Sequence, residues 1–158
     1  MWRQTPWVPT SGKRIWYEAR VKMNNVVTPD EYSSGLGDTL TEACAGGTID
    51  DVVDKILFYT ESGTTTLTME FITSKTTVQE QTTGAATVAN DTWVQLGFIA
   101  DFASVTPYVN NVAGTAHATA SQLPTSGTGL GICLAAQVDQ TGAVATLDVD
   151  WIRIAQLK

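Results

Sequence analysis

The stretch from Ile15 to Met23, IWYEARVKM, constrains the fold more than any other part of this chain. Ile15, Tyr17, Ala19, Val21 and Met23 alternate with Trp16, Glu18, Arg20 and Lys22. Successive side chains on a strand point to opposite faces, so one face is apolar and the other largely charged. That is the pattern of a half-buried antiparallel strand. A helix needs apolar residues three and four apart, and this run does not supply them.

Similar runs follow. Tyr32 to Leu36 reads as a short strand. Lys55 to Thr60 (KILFYT) and Thr64 to Thr73 read as a hairpin across Glu61-Ser62-Gly63, with Leu67, Met69 and Phe71 sharing a face. Thr76 to Gln81 is polar on both faces and suits a sheet edge; Gly84 to Asp91 returns the chain. Thr92 to Ala100 (TWVQLGFIA) is apolar on both faces, which predicts a central strand covered on both sides. Val105 to Val109, Asn110-Asn111 and Val112 predict a second hairpin, because Asn tolerates the positive φ of a tight primed turn. Leu130 to Val138 and Ala143 to Ala155 are the last strands. Threonine stands at 25 positions, and it suits pleated surfaces. A short helix near Leu40–Cys44 is the one helical expectation. The chain reads as all-β: an antiparallel two-sheet β-sandwich. Its 158 residues suit one domain, residues 15–158, behind an extended arm, residues 1–14, that holds Trp2, Trp7, Pro6 and Pro9.

The net charge of −7 and the lack of a basic cluster argue against nucleic-acid binding, which draws its free energy from cations on phosphates. No apolar run approaches the roughly 20 residues of a membrane span. The first residues lack the apolar core of a signal peptide. Cys44 and Cys133 could pair, but spacing alone does not establish it; Cys133, in an apolar strand run, reads as a small buried hydrophobe.

Three segments carry a resemblance. WYEARVKM (Trp16 to Met23), TWVQLGF (Thr92 to Phe98) with PYVNNV (Pro107 to Val112), and LDVDWIRIAQ (Leu147 to Gln156) together resemble concanavalin A-like, or laminin-G-like, jelly rolls. In that fold the first and last strands lie together. With the Gly35-Leu36 step, their order is also similar to head-decoration and related virion proteins of tailed bacteriophages. That resemblance implies a non-enzymatic capsid decoration or cement protein on the virion exterior. Its partners would be capsid subunits, in a homo-oligomer or in many copies on a shell. The contact candidates are Trp2 and Trp7, since Trp is favoured at interface hot spots, together with the loops near residues 24–54. Trp2 and Trp7 could instead pack on the domain's own edge. The alternative function is a lectin-like carbohydrate-binding module, possible on a phage tail or fibre.

No catalytic residue, metal site or cofactor is expected. Glycoside hydrolysis needs two carboxylates facing one sugar site. Only Asp148 and Asp150 have the alternate spacing for it, and they read as a solvated face or as partners of Arg153 or Lys158. The Glu-x-Asp-x-x-Glu run of retaining jelly-roll glucanases is absent. Asp38, Asp50, Asp51 and Asp54 could offer calcium oxygen ligands but lack EF-hand spacing, and read as an acidic loop. His117, the one histidine, reads as an exposed loop residue. Trp16, Trp93, Tyr32, Tyr59 and Tyr108 are the aromatics that could stack on sugars, although their strand patterns favour the core.

Overall fold

The computed structural model describes residues 7–24, 31–38, 53–60, 68–76, 78–124, 129–137 and 144–157. The expected helix near Leu40–Cys44 lies outside these residues, as do Trp2, Asp50, Asp51 and Cys44. The described residues form ten strands: β1 (Ile15–Met23), β2 (Glu31–Gly37), β3 (Lys55–Tyr59), β4 (Thr68–Lys75), β5 (Val78–Thr87), β6 (Thr92–Ala100), β7 (Val105–Val109), β8 (Val112–Ala113), β9 (Gly131–Gln137) and β10 (Leu147–Gln156). They form two five-stranded antiparallel sheets, ordered β10-β1-β6-β7-β8 and β5-β4-β3-β2-β9. The expected all-β sandwich is therefore the fold. The first and last strands pair along their length, from Ile15↔Gln156 to Met23↔Leu147. Asn110 and Asn111 take φ values of 49° and 68°, the left-handed pair that closes the β7–β8 hairpin. Strand β5 is longer than its polar start suggested. It runs on through Gly84 to Thr87, paired with β4 across a bulge opposite Met69 and Phe71.

The core lies between the sheets. Ile15, Tyr17, Ala19, Val21 and Met23 enter it from β1, Val94, Leu96 and Phe98 from β6, and Leu36, Ile56, Phe58, Met69 and Phe71 from the second sheet. Each large apolar side chain fully buried there contributes roughly 1.5–3 kcal/mol before entropy. Tyr17 stacks on Phe98 at 5.1 Å, and Phe71 links Phe98 to Phe58. The Tyr17 hydroxyl crosses the sandwich to Ser34 Oγ at 2.8 Å. Burial pushes that phenol far above its ordinary range, and the Ser34 bond only partly offsets this. At Gly35 the backbone of β3 comes so close that a Cβ would lie 2.2 Å from the Ile56 carbonyl oxygen. The second sheet can take β2 at this distance only because position 35 has no side chain.

The strands covered on both faces are β2, β3 and β4, not β6. Leu57, Tyr59, Ile72, Cys133 and Ala135 form a second buried cluster on the far face of their sheet. Cys133 is buried there, 3.7 Å from Ser33 Oγ. On β6 the far face carries Trp93, Gln95, Gly97 and Ile99, and Trp93 keeps 37% of its surface exposed. Apolar residues on both faces do not distinguish a doubly covered strand from one that presents aromatics to solvent.

His117, expected on an exposed loop, is instead buried, at 1% exposure. Its backbone exchanges two hydrogen bonds with Val105, and this bridge carries the ring against β4 and β5 of the other sheet. The ring packs on Phe71 and sits between Thr73 Oγ1 (3.0 Å to Nδ1) and Thr82 Oγ1 (2.8 Å to Nε2). One ring nitrogen donates and the other accepts only when the imidazole is neutral. Burial holds the His117 pKa below its ordinary value, against a smaller opposing pull from Glu80. The unfolded chain therefore binds the proton more readily, and stability falls as pH drops below about 6.5. Chemical unfolding at about pH 7 and about pH 5 should show a lower midpoint at the acid pH, with a smaller difference in His117→Gln. An unchanged difference would remove His117 as the cause.

Trp7, at the start of the described chain, exchanges backbone hydrogen bonds with Leu130 (2.9 and 2.8 Å). Its side chain is partly buried and packs against the core. Gln156 Nε2 donates to the Val8 carbonyl at 2.7 Å, and this fastens residues 7–8 to the end of β10.

Candidate functional site

The alternation that buries one face of β1 turns Trp16, Glu18, Arg20 and Lys22 to the other side of the first sheet. Trp93, Gln95, Gly97 and Ile99 of β6 join them by register, through Trp16↔Ile99, Glu18↔Gly97, Arg20↔Gln95 and Lys22↔Trp93. Strand β10 adds Asp148, Trp151 and Arg153, paired with Lys22, Arg20 and Glu18. A register shift between Arg20 and Val21 makes Asp150 the extra residue. Trp151 therefore shares a face with Asp148, although their spacing would put them on opposite faces of a regular strand.

The charges on this face are paired. Arg20 meets Asp150 at 2.6 Å and Lys22 meets Asp148 at 3.0 Å, while Arg153 stands 4.0 Å from Glu18. The two aspartates thus take partners from β1, while Arg153 turns to Glu18 and Lys158 lies outside the described residues. The Arg20 guanidinium and the Lys22 ammonium also lie over the Trp93 ring, at 5.0 and 5.4 Å, and Arg153 covers Trp151 at 4.4 Å. Such exposed pairs contribute at most about 1 kcal/mol each to stability.

Beside this charged zone lies a cleft of about 250 Å³, lined by Trp16, Glu18, Gln95, Gly97, Ile99, Tyr108 and Asn111. Gly97 forms its floor. A Cβ at that position would stand 2.8 Å from the Tyr17 carbonyl oxygen, so a side chain here would meet the β1 backbone. Gln95 organises the polar wall. Its amide nitrogen donates to Glu18 Oε1 and to Asn111 Oδ1, the latter at 3.0 Å. Its backbone N–H donates to Asn110 Oδ1 at 3.0 Å, and its carbonyl accepts from Asn110 N at 2.8 Å. The tight Asn-Asn turn thereby anchors one end of the cleft to β6. Among the described lining residues, Glu18 is the single carboxylate.

Of the aromatics read from the sequence, Tyr32 and Tyr59 are buried, while Trp16, Trp93 and Tyr108 reach this face. Trp151 was missed as a platform, because its exposure depends on the Asp150 bulge. The outward position of Trp16 was readable: it shares parity with Glu18, Arg20 and Lys22. Trp7 lies apart from the cleft lining. Within the acidic loop, Asp54 accepts from Thr76 N at 2.9 Å. No cluster of three or more His, Cys, Asp or Glu with metal-binding geometry occurs among the described residues.

Gly97→Ala should lower stability by about 1–3 kcal/mol, the range for overpacking a filled position. Urea unfolding with an unchanged slope would measure it, and a shift below about 0.5 kcal/mol would show that the cleft floor has room.

Neither a protein-family model nor a curated protein matches the sequence. Solved structures match in fold. An endo-1,3-β-glucanase from Streptomyces sioyaensis superposes with a TM-score of 0.66 at 13% identity, over 98% of this chain and 68% of that one. CG-16, a homodimeric agglutinin from chicken liver, gives 0.53 at 13% identity over 96% of both chains. A carbohydrate-binding module from Bacillus subtilis gives 0.53 at 10% identity, over 92% of this chain and 76% of its own. At these identities the likeness concerns the fold, which is the concanavalin A-like jelly roll.

Proposed function

We propose that this protein binds carbohydrate without cleaving it, at the cleft over Gly97. The observation that carries this reading is an open cleft with aromatic walls, Trp16 and Tyr108, and hydrogen-bonding groups already oriented on Gln95, Glu18 and Asn111. Aromatic rings offer a flat apolar surface to the C–H face of a sugar, and amides and carboxylates take its hydroxyls. Because Gln95 is held by both Glu18 and Asn111, little ordering remains for binding to offset. Neighbours of the fold named for agglutination, for carbohydrate binding and for glucan cleavage favour a sugar as the ligand. The pairing of the carboxylates favours binding over hydrolysis. Glu18 is engaged by Gln95 and faces Arg153, while Asp148 and Asp150 are neutralised by Lys22 and Arg20. No second carboxylate among the described lining residues stands opposite Glu18 to complete an acid–base pair.

A glycan array followed by titration of tryptophan fluorescence tests this. Binding to at least one glycan is expected, weakened about tenfold or more by Trp16→Ala or Gln95→Ala. An array with no signal would overturn the reading. Release of reducing ends or unsaturated sugars from the bound glycan would overturn its non-catalytic part.

A second reading rests on the composition of the same face. Three tryptophans with Arg20, Arg153 and Tyr108 match the residue types that dominate protein interfaces. It makes the protein a virion component seated on capsid subunits, and it agrees with the phage resemblance of the sequence. On this reading Trp93→Ala should reduce occupancy on capsids, while removal of residues 1–6 should do so only if the arm also makes contact. Unchanged occupancy in both variants, measured by mass spectrometry of particles, would dismiss it.

A further inference from the structure

Two more hollows continue the line of the cleft. The first, of about 350 Å³, is lined by Arg14, Trp16, Ile99, Ala155 and Leu157, so it shares Trp16 and Ile99 with the cleft. The second, of about 590 Å³, is lined by Ser11, Gly12, Arg14, Asp101, Phe102, Ala103 and Leu157, so it shares Arg14 and Leu157 with the first. Shared walls place the three side by side, stepping from Trp16 with Ile99 to Arg14 with Leu157. They follow β1 from Glu18 back to its start at Ile15 and on to the turn at Ser11 and Gly12. Exposed aromatics stand at intervals along it, Trp16 at 37% and Phe102 at 41% exposure.

We infer that the cleft is one end of a trench that runs along β1 and takes an uncharged linear oligosaccharide several sugar units long; this deepens the carbohydrate reading above and rests on it. The direction follows from the shared walls, which run along β1 and not across the sheet. The lack of charge on the ligand follows from the lining. Two carboxylates, Glu18 and Asp101, line it with one guanidinium, Arg14, and Glu18 is met by a second, Arg153, at 4.0 Å. Asp101 accepts from the N–H groups of Ala103 and Ser104, both at 2.8 Å, and these bonds hold its carboxyl below the usual carboxylate range, with a smaller pull from Arg14. It stays ionised at neutral pH. A polyanion would therefore find no surplus of positive charge in the trench, on a chain that itself carries −7. A neutral chain meets aromatic platforms at Trp16 and Phe102, an apolar wall at Ile99, Ala155 and Leu157, and hydroxyl partners at Gln95, Asn111, Arg14 and Ser11.

The test is an affinity series on the full chain. The probes are β-1,3-glucan, β-1,4-glucan and β-1,4-galactan oligosaccharides from disaccharide to hexasaccharide, with an alginate hexasaccharide as the charged counterpart. For at least one neutral series, the hexasaccharide should bind about tenfold or more tighter than the disaccharide. Phe102→Ala, in an exposed loop, should remove most of that gain and leave disaccharide affinity unchanged. Binding that does not depend on length, or a Phe102→Ala loss equal at every length, would overturn the trench and leave the cleft reading intact. A preference for the alginate hexasaccharide would overturn the neutral assignment. Silence with every neutral and charged probe would overturn the trench together with the carbohydrate reading.

Discussion

Strand β1 is hydrogen-bonded along both edges, to β10 on one side and β6 on the other, over all nine of its residues. Everything else in the first sheet takes its position from that arrangement. A strand with partners on both edges has no freedom to slip, because a one-residue shift would turn Ile15, Tyr17, Ala19, Val21 and Met23 out to solvent and drive Glu18, Arg20 and Lys22 into the core. The same register brings Trp16 beside Ile99 and Glu18 beside Gly97, and these contacts are the walls and floor of the cleft. Core and site are two sides of one pairing. The Tyr17–Ser34 hydrogen bond then ties this sheet to the other. The cleft thus stands on a strand that is fixed at its edges and anchored from beneath.

What the sequence made legible follows from period and turn chemistry. The strict alternation of residues 15–23 reads directly, and so does the Asn110-Asn111 turn. The pairing of the two terminal strands came through the resemblance carried by LDVDWIRIAQ. What stayed hidden needed long-range contacts. His117 sits in a Thr- and Ala-rich loop, and nothing local marks it as buried. Its place is set by Val105, Thr73 and Thr82, which lie 12, 44 and 35 residues away in the sequence. Trp93 looked like core because Val94, Leu96 and Phe98 surround it with apolar residues. Only the register with Lys22 shows that two cations, and not another sheet, cover its ring. The Asp150 bulge is likewise invisible in an alternating run, yet it decides where Trp151 points.

The outer face is costly as a solution to folding alone. Threonine is abundant in this chain and would cover a solvent-facing sheet more cheaply than tryptophan does. Leaving Trp16 and Trp93 more than a third exposed forgoes part of the free energy their burial would supply. The cations over Trp93 and Trp151 recover some of it, and they narrow the room in which the rings can turn. Rings held in this way are ordered before any ligand arrives, so binding would cost less entropy than it would with free rotamers.

The two sheets divide their work by coverage. The second sheet buries both faces of β2, β3 and β4, with Leu57, Tyr59 and Ile72 closed off on the side away from the core. The first sheet keeps one face open and places polar groups there in pairs: Glu18 with Gln95, Arg20 with Asp150, Lys22 with Asp148. Paired charges raise little field of their own, so this face would discriminate ligands by shape and hydrogen bonding more than by charge. That agrees with a neutral, hydroxyl-rich ligand and disfavours a charged one. The same alternation in residues 15–23 that closes the core therefore bounds the chemistry of whatever docks on its reverse.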